Sequence, residues 1–450
     1  MLITNAKIVT WGNPNQVLEN QAVFIKDGLI REIGPTSDLV KRYSDPAPVD
    51  AKEQFLLPGS ICAHTHFYGA FARGLAIPSA SPRDFPEILN KLWWPLDKSL
   101  THEDIRYSAL VSLADAIRNG TTLLVDHHAS PNAIDGSLDV IEEAVDTAGV
   151  RAVLCYEVSD RDGPEKAEAG IRENLRYIQK KSTEGDLRSK TSATFGLHAS
   201  LTLSDKTLDR CKEANPTGGF HIHAAEGDAD QLDSLAKSGM RVVNRLHSHG
   251  ILGEKTILAH CVRVDSGEID LLSQTKTWVT HQPRSNMNNG VGTAPVEAML
   301  NAGLRLGLGN DGFTNDMWQE WKAAYLLQKS WHRDPRRMPA DEVAKMAVYN
   351  NAALATVFFP ESLIGTIAPG ACADLILVDY HPFTPVTAAN LPWQIIFGFQ
   401  ERMITATMVD GKFLMKDRQL LTLDEEEITS RAKVLAQKVW KRYNEKFGTG

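Results

Sequence analysis

Two histidines one residue apart, His64 and His66, close the apolar run that begins at Pro58-Gly59. Side chains on a strand alternate between its faces, so both imidazoles point the same way and can share one metal ion. Neutral ring nitrogens are borderline ligands that suit zinc or iron at about 2.0 to 2.1 Å. The same kind of group recurs further on. His221-Ile222-His223-Ala224-Ala225-Glu226 puts two imidazoles on one face and an acid three residues beyond the second. That spacing makes His223 the ligand and Glu226 a proton shuttle leaning over the metal, with His221 deeper as packing or support. Leu258-Ala259-His260-Cys261 delivers one more imidazole, and Gly307-Leu308-Gly309-Asn310-Asp311-Gly312 offers Asp311 between glycines that let the backbone crowd a ligand. A lone strand-end histidine is more often a satisfied core residue, and an aspartate in a glycine-rich turn is more often a turn former. Repetition of such groups at strand ends is not explained that way.

Composition bounds what such a centre can serve. The chain has 450 residues, 43% hydrophobic and 23% charged, which is ordinary for a globular protein with a large core. A net charge of -8 and a pI near 6.0 argue against a protein that grips phosphate backbones. The five cysteines are scattered without a CxxC pair and read as buried thiols in a reducing cytoplasm. The first residues lack the basic-then-apolar plan of a signal peptide, and no apolar run reaches membrane-spanning length. The expectation is a cytoplasmic protein.

The elements that must position these groups follow from the change of rhythm along the chain. Residues 1–57 read as short strands, with Asp27-Gly28 as a hairpin turn. From 58 to 365 short apolar runs alternate with helix-length stretches, and Thr101-His102-Glu103-Asp104 opens one helix with a capping residue and early acids. The His64 strand and the runs 120–126, 152–156, 193–197, 219–224, 256–260, 277–281 and 304–308 make eight, which points to an α/β fold, a parallel (β/α)8 barrel of the TIM type. Strand-and-turn texture returns over 366–420, with a second turn at Asp410-Gly411, and 421–450 closes with a charged amphipathic helix. The economical reading is that 1–57 and 366–420 pair into one small β-sandwich beside the catalytic barrel.

With these residues in place the chain resembles the amidohydrolase superfamily, in its cytosine/adenosine deaminase-like branch, which includes guanine deaminase, S-adenosylhomocysteine deaminase and triazine hydrolases. The match rests on Pro58-Gly59 before His64-Thr65-His66, on His223 with Glu226, on His260, Asp311, and on Pro369-Gly370 with Ala373-Asp374-Leu375. It spans essentially the whole chain. Within that branch, His64 through Gly74 and Asp126-His127-His128-Ala129-Ser130 are most similar to the SsnA-type aminohydrolases.

The resemblance implies one divalent metal ion, zinc before ferrous iron, on His64, His66, His223 and Asp311, with water in the open position made available for attack near neutral pH. It implies that Asp311 accepts the proton of that water, that His260 orients the nucleophile, and that Glu226 protonates a ring nitrogen and carries the proton to departing ammonia. The lysine of binuclear relatives is missing from Thr194-Phe195-Gly196-Leu197-His198, and His198 matches a substrate-contacting position. Further substrate-side candidates are Trp94, beside Trp93, for stacking on a planar ring, and Arg284 for a carboxylate or phosphate. One of His127 and His128 faces the pocket, while Trp318 and Trp321 read as core or subunit interface. The expected reaction is hydrolytic deamination of a purine, pyrimidine or pterin-like ring. Cleavage of a cyclic amide or imine, or loss of another leaving group, is the alternative on the same site, and a non-catalytic binding protein of the same fold is the third reading. The expected partner is a small heterocycle, without nucleic acid or membrane, in a chain that resemblance makes a homodimer.

Overall fold

The structure is a computed structural model that describes all residues except 44, 46, 185–188 and 448–450. Eight apolar runs form the staves of a parallel barrel: Ser60–Thr65, Thr121–Asp126, Arg151–Leu154, Thr191–Ala193 continued by Phe195–Ala199, Phe220–Ala224, Ile257–His260, Trp278–His281 and Arg305–Leu308. The fourth stave is interrupted at Thr194, so the ladder divides into a four-stranded and a five-stranded arc. Parallel bridges at Val158–Leu197 and Thr65–Asp311 join the two arcs into a closed cylinder. The second junction lies at the site itself. His64 O accepts from the backbone N–H groups of Asn310 and Asp311, at 3.1 and 3.0 Å. Gly309 is required here, since a Cβ on it would stand 2.7 Å from His64 N and O.

The staves are buried because helices cover the outside of the barrel while side chains fill its interior. Helix His102–Arg118 begins with the expected capping box, Thr101 and Asp104 bonding reciprocally to each other's backbone N–H groups. The last helix, Glu425–Phe447, lies against it through Arg442–Asp104, Arg431–Glu103 and Arg118–Glu425 ion pairs.

Both chain ends build the second body. Leu375–Val378 pairs antiparallel with Phe55–Pro58, so the late segment joins the sheet begun by Leu2–Val9, Val17–Lys26 and Leu29–Pro35. The layers form one continuous nine-stranded sheet. It curls on itself, because Ile30 N donates to Ala371 O and Ala373 N donates to Gly28 O, both at 2.8 Å, at the turn marked by Asp27-Gly28. Ile3, Ile8, Ile25, Leu56, Leu377 and Met408 share the enclosed core. Trp318 and Trp321 are buried in the main core.

One buried ion pair joins the two bodies. Arg151, at the start of the third stave, donates from Nε to Asp374 Oδ2 at 2.7 Å, and Asp374 Oδ1 also accepts from Asp410 N at 2.8 Å. Both side chains are 2% exposed. Truncating one partner leaves an uncompensated buried charge, so Arg151→Ala is expected to cost about 3–5 kcal/mol of stability, read as a lowered denaturation midpoint. A midpoint within error of wild type would mean that the pair is not needed to hold the bodies together. Among the described residues no helix is long and apolar enough to cross a membrane. All five cysteines are buried and free.

Candidate metal centre

The carboxyl ends of the staves converge as barrel topology requires. His66 Nε2 lies 2.9 Å from Asp311 Oδ1 and 3.1 Å from His223 Nε2, and His64 Nε2 lies 3.4 Å from Asp311 Oδ1. These separations suit donor atoms about 2.1 Å from a common centre. The opposite ring nitrogens show which tautomer suits binding in each imidazole. His66 Nδ1 donates to His127 O at 2.6 Å and His223 Nδ1 donates to His198 O at 2.8 Å. A carbonyl can only accept, so a neutral ring leaves Nε2 bare and aimed at the centre. His64 Nδ1 faces His221 Nε2 at 2.9 Å, which gives His221 the supporting place expected of it. His64 Nε2 makes no hydrogen bond among the described residues although it is buried. The donor set thus fits a divalent cation of the zinc type.

Electrostatics agree with that fit. Burial drives His64 down to about 3 and His223 well below its ordinary value, so both rings are in the neutral form that a ligand needs. Burial also opposes charge on His66, but the adjoining Asp311 outweighs it and lifts the ring to about 9. A bound cation would replace that proton. His64 and His66 hold Asp311 well below the usual carboxylate range in spite of its burial.

The chemistry-bearing groups stand around the same cavity, of about 390 Å³, which His66, His198, His223, Glu226, His260 and Asp311 help to line. Glu226 is pushed well above its ordinary value by burial first and by Asp311 second, which favours the protonated form, the one able to donate. Its Oε2 is 3.5 Å from His260 Nε2 and its Oε1 accepts from Asn289 Nδ2 at 3.2 Å. His260, neutral because burial lowers it to about 4, meets Asn286 Nδ2 through Nδ1 at 2.8 Å. Ser285 Oγ donates to Asp311 Oδ2. Helix Pro283–Asn288 and the residue after it therefore brace three reactive groups at once. That bracing was not anticipated for Ser285, Asn286 and Asn289, although Pro283-Arg284-Ser285-Asn286 follows the seventh stave after Gln282. Ala225, His260, Cys261 and Asp311 all hold positive φ, from 49° to 74°, so strained backbone concentrates at these stave ends.

Of the substrate-side candidates, Trp94 and His198 line the cavity, their rings 6.3 Å apart. Arg284 is a correction: its guanidinium is engaged by Glu320, by Thr314 O at 2.7 Å and by Gln319 Oε1 at 3.1 Å, and it is not part of the cavity wall. The reason is helical phase. Ser285 and Asn286, with Asn289 just past the helix end, face the site, and the buried Glu320 takes Arg284. Arg284→Ala should therefore lower stability by about 3–5 kcal/mol, by stranding a buried acid. A denaturation midpoint unchanged in that variant would contradict a structural role. The pair His127 and His128 separates as alternation requires. The His127 ring sits in the barrel interior 4.5 Å from that of His221 and 4.7 Å from that of His223, whereas His128 turns to Ser130. Neither ring lines the cavity.

Sequence reasoning missed Glu157, three residues past the third stave, and Asp97, on the short helix Trp94–Asp97; both line the cavity and both are buried. An acid closing the apolar run Ala152–Tyr156 was a usable signal for Glu157, passed over because no histidine adjoins it.

Comparison with known proteins gives the same picture. The Amidohydrolase family model matches residues 55–414. A 5'-deoxyadenosine deaminase of Methanosarcina mazei is 31% identical over 99% of both chains. A 5-methylthioadenosine/S-adenosylhomocysteine deaminase of Syntrophomonas wolfei is 31% identical over 98% of this chain and 99% of its own. Among solved structures, an adenosine deaminase from Xanthomonas campestris with bound Zn superposes with a TM-score of 0.85 at 24% identity, over 98% of each chain. Guanine deaminase of E. coli gives 0.78 at 20%, over 92% of this chain and 99% of its own. The barrel, the histidine pair on its first stave and a family match over most of the length lead to one placement: the chain belongs to the amidohydrolase family.

Proposed function

We propose that this protein is a metal-dependent aminohydrolase that removes ammonia from an amino-substituted heterocycle, an adenosine-like compound first, of the kind named for its relatives. The observation that carries the reading is the meeting of bare, convergent ring nitrogens with the buried carboxyl of Glu226 at one cavity. His64, His66, His223 and Asp311 would hold a zinc ion, which would supply the Lewis acidity that makes water a nucleophile near neutral pH. Asp311 takes the proton of that water. His260, braced by Asn286, orients the attacking oxygen and faces the charge that develops on it. Glu226 delivers its proton to the ring nitrogen beside the carbon under attack, then takes the remaining proton of the attacking oxygen and passes it to the amino group as it leaves, and the proton held on Asp311 restores Glu226. Trp94 and His198 hold the ring.

A cavity of about 390 Å³ is within the range of small-molecule sites, about 300–1,000 Å³. The five cysteines are free thiols, and the acidic net charge does not suit nucleic acid. These support a cytoplasmic enzyme with a small-molecule substrate; a homodimer is the assembly expected. Ammonia release by the zinc-reconstituted protein from a panel of aminated purines, pyrimidines and pterins tests the reading. Release of another leaving group, with no ammonia from any ring, would replace it with the alternative hydrolysis.

A further inference from the structure

One stretch of chain, residues 68–97, supplies more of the cavity lining than any other and has little regular structure. It runs from the 3-10 turn Phe67–Ala72 through irregular backbone to the short helices Phe85–Ile88 and Trp94–Asp97, which a wide turn of π type, Leu89–Trp93, joins. Wide turns of that kind are uncommon and concentrate at functional sites. Trp93 brings the stretch against the metal centre: a Cβ on Gly69 or on Gly312 would stand 3.3 or 3.4 Å from its ring. Those glycines follow His66 and Asp311 closely in the chain.

The two ends of the stretch are tied to the barrel. Ser108 Oγ donates to Phe67 O at 2.6 Å, and Arg161 pairs with Asp97. Further support comes from outside the barrel, from the last helix, Glu425–Phe447. Trp440 Nε1 donates to Phe71 O at 2.8 Å, the Tyr443 hydroxyl donates to Lys91 O, and Arg442 Nε donates to Ser99 O at 2.7 Å, just past Asp97. Side-chain donors from neighbouring positions thus end on carbonyls of one wall. The apolar residues of the same helix do a different job, since Leu435 and Val439 are buried in the main core. Docking by those side chains needs no N–H or O–H aimed at the cavity wall.

We propose that Trp440 and Tyr443 are positioning residues that clamp 68–97 in the place where it receives the heterocycle, so that the far end of the chain sets substrate affinity. This deepens the aminohydrolase reading and rests on it for its reactant. The metal ligands, Glu226 and His260 stand at the ends of the staves, and the clamp acts on the wall beside them. A loosened wall leaves only a fraction of the molecules ready for the ring, and apparent affinity falls by that fraction while turnover of bound substrate does not. Loss of both donors should raise KM about tenfold.

Amide hydrogen exchange on the zinc-loaded full chain tests the clamp without a substrate. Trp440→Phe combined with Tyr443→Phe keeps both rings and removes both donors; exchange should become about tenfold faster over 68–97 and stay at the wild-type rate in the staves. Steady-state kinetics on the same protein should show KM raised about tenfold, kcat within about threefold of wild type and zinc content unchanged. Each single variant should give about threefold in both readouts, and carries the test if the double variant does not fold. Arg431→Ala breaks a contact of the same helix with Glu103, outside the cavity lining, and should change neither readout. Unchanged exchange over 68–97 overturns the proposal. So does a loss of kcat at constant KM, faster exchange throughout the chain, or an equal effect of Arg431→Ala. Should no aminated ring release ammonia, the deaminase reading goes and exchange over 68–97 decides the clamp by itself.

Discussion

Glu226→Gln is expected to keep a full complement of metal and to lower turnover about 10²- to 10⁴-fold. The substitution preserves the shape of the side chain and its contact with Asn289, 3.2 Å away, and it touches no metal ligand. What it removes is a dissociable proton. Burial and the nearby Asp311 raise the Glu226 carboxyl, so the form able to donate persists upward in pH. The sign follows directly: wild-type turnover should fall as pH rises through that raised value, because the donor is then lost. The residual activity of Glu226→Gln should lack that alkaline fall, since glutamine does not titrate. A pH–rate profile for both proteins, with elemental analysis of the same samples, checks the pair of outcomes. Near-wild-type rates in the variant would exclude Glu226 from proton transfer.

His66→Ala is expected to lower metal stoichiometry and turnover together, the second to background. His66 Nε2 is the best-connected donor of the centre, within 3.1 Å of both His223 Nε2 and Asp311 Oδ1. Its loss leaves His64, His223 and Asp311, one protein ligand short, with a space that water enters. The orienting bond from His66 Nδ1 to His127 O disappears with it, so excess zinc should restore little. Inductively coupled plasma measurements after gel filtration report the stoichiometry, and circular dichroism shows whether the fold survives. Unchanged metal content would mean that the cation, if bound at all, is held elsewhere.

Much of this site was open to inspection before any coordinates. Period-two alternation puts His64 and His66 on one face whatever the rest of the chain does, and it explains equally why His127 and His128 part company. Eight apolar runs separated by helix-length stretches specify a parallel barrel, whose carboxyl ends must meet. Local turn chemistry was equally plain: Asp27-Gly28 and Asp410-Gly411 make the hairpins that their dipeptides demand. That the two chain ends share one sheet body was inferred from texture, whereas the pairing of Leu375–Val378 with Phe55–Pro58 and the curl into one continuous sheet were not.

What the sequence by itself determined was therefore whatever depends on neighbours along the chain: strand alternation, capping, turns, and residue types able to bind a metal or move a proton. Only tertiary structure decided which of those side chains find the cavity and which find each other. Arg284 was a plausible anion clamp until Glu320, 36 positions later, took its guanidinium, and Glu157 was an ordinary acid until three imidazoles from other staves closed around it. The reason is physical. A buried charge is governed by whichever partner or desolvating wall lies within a few ångströms, and that distance is set by packing between distant segments.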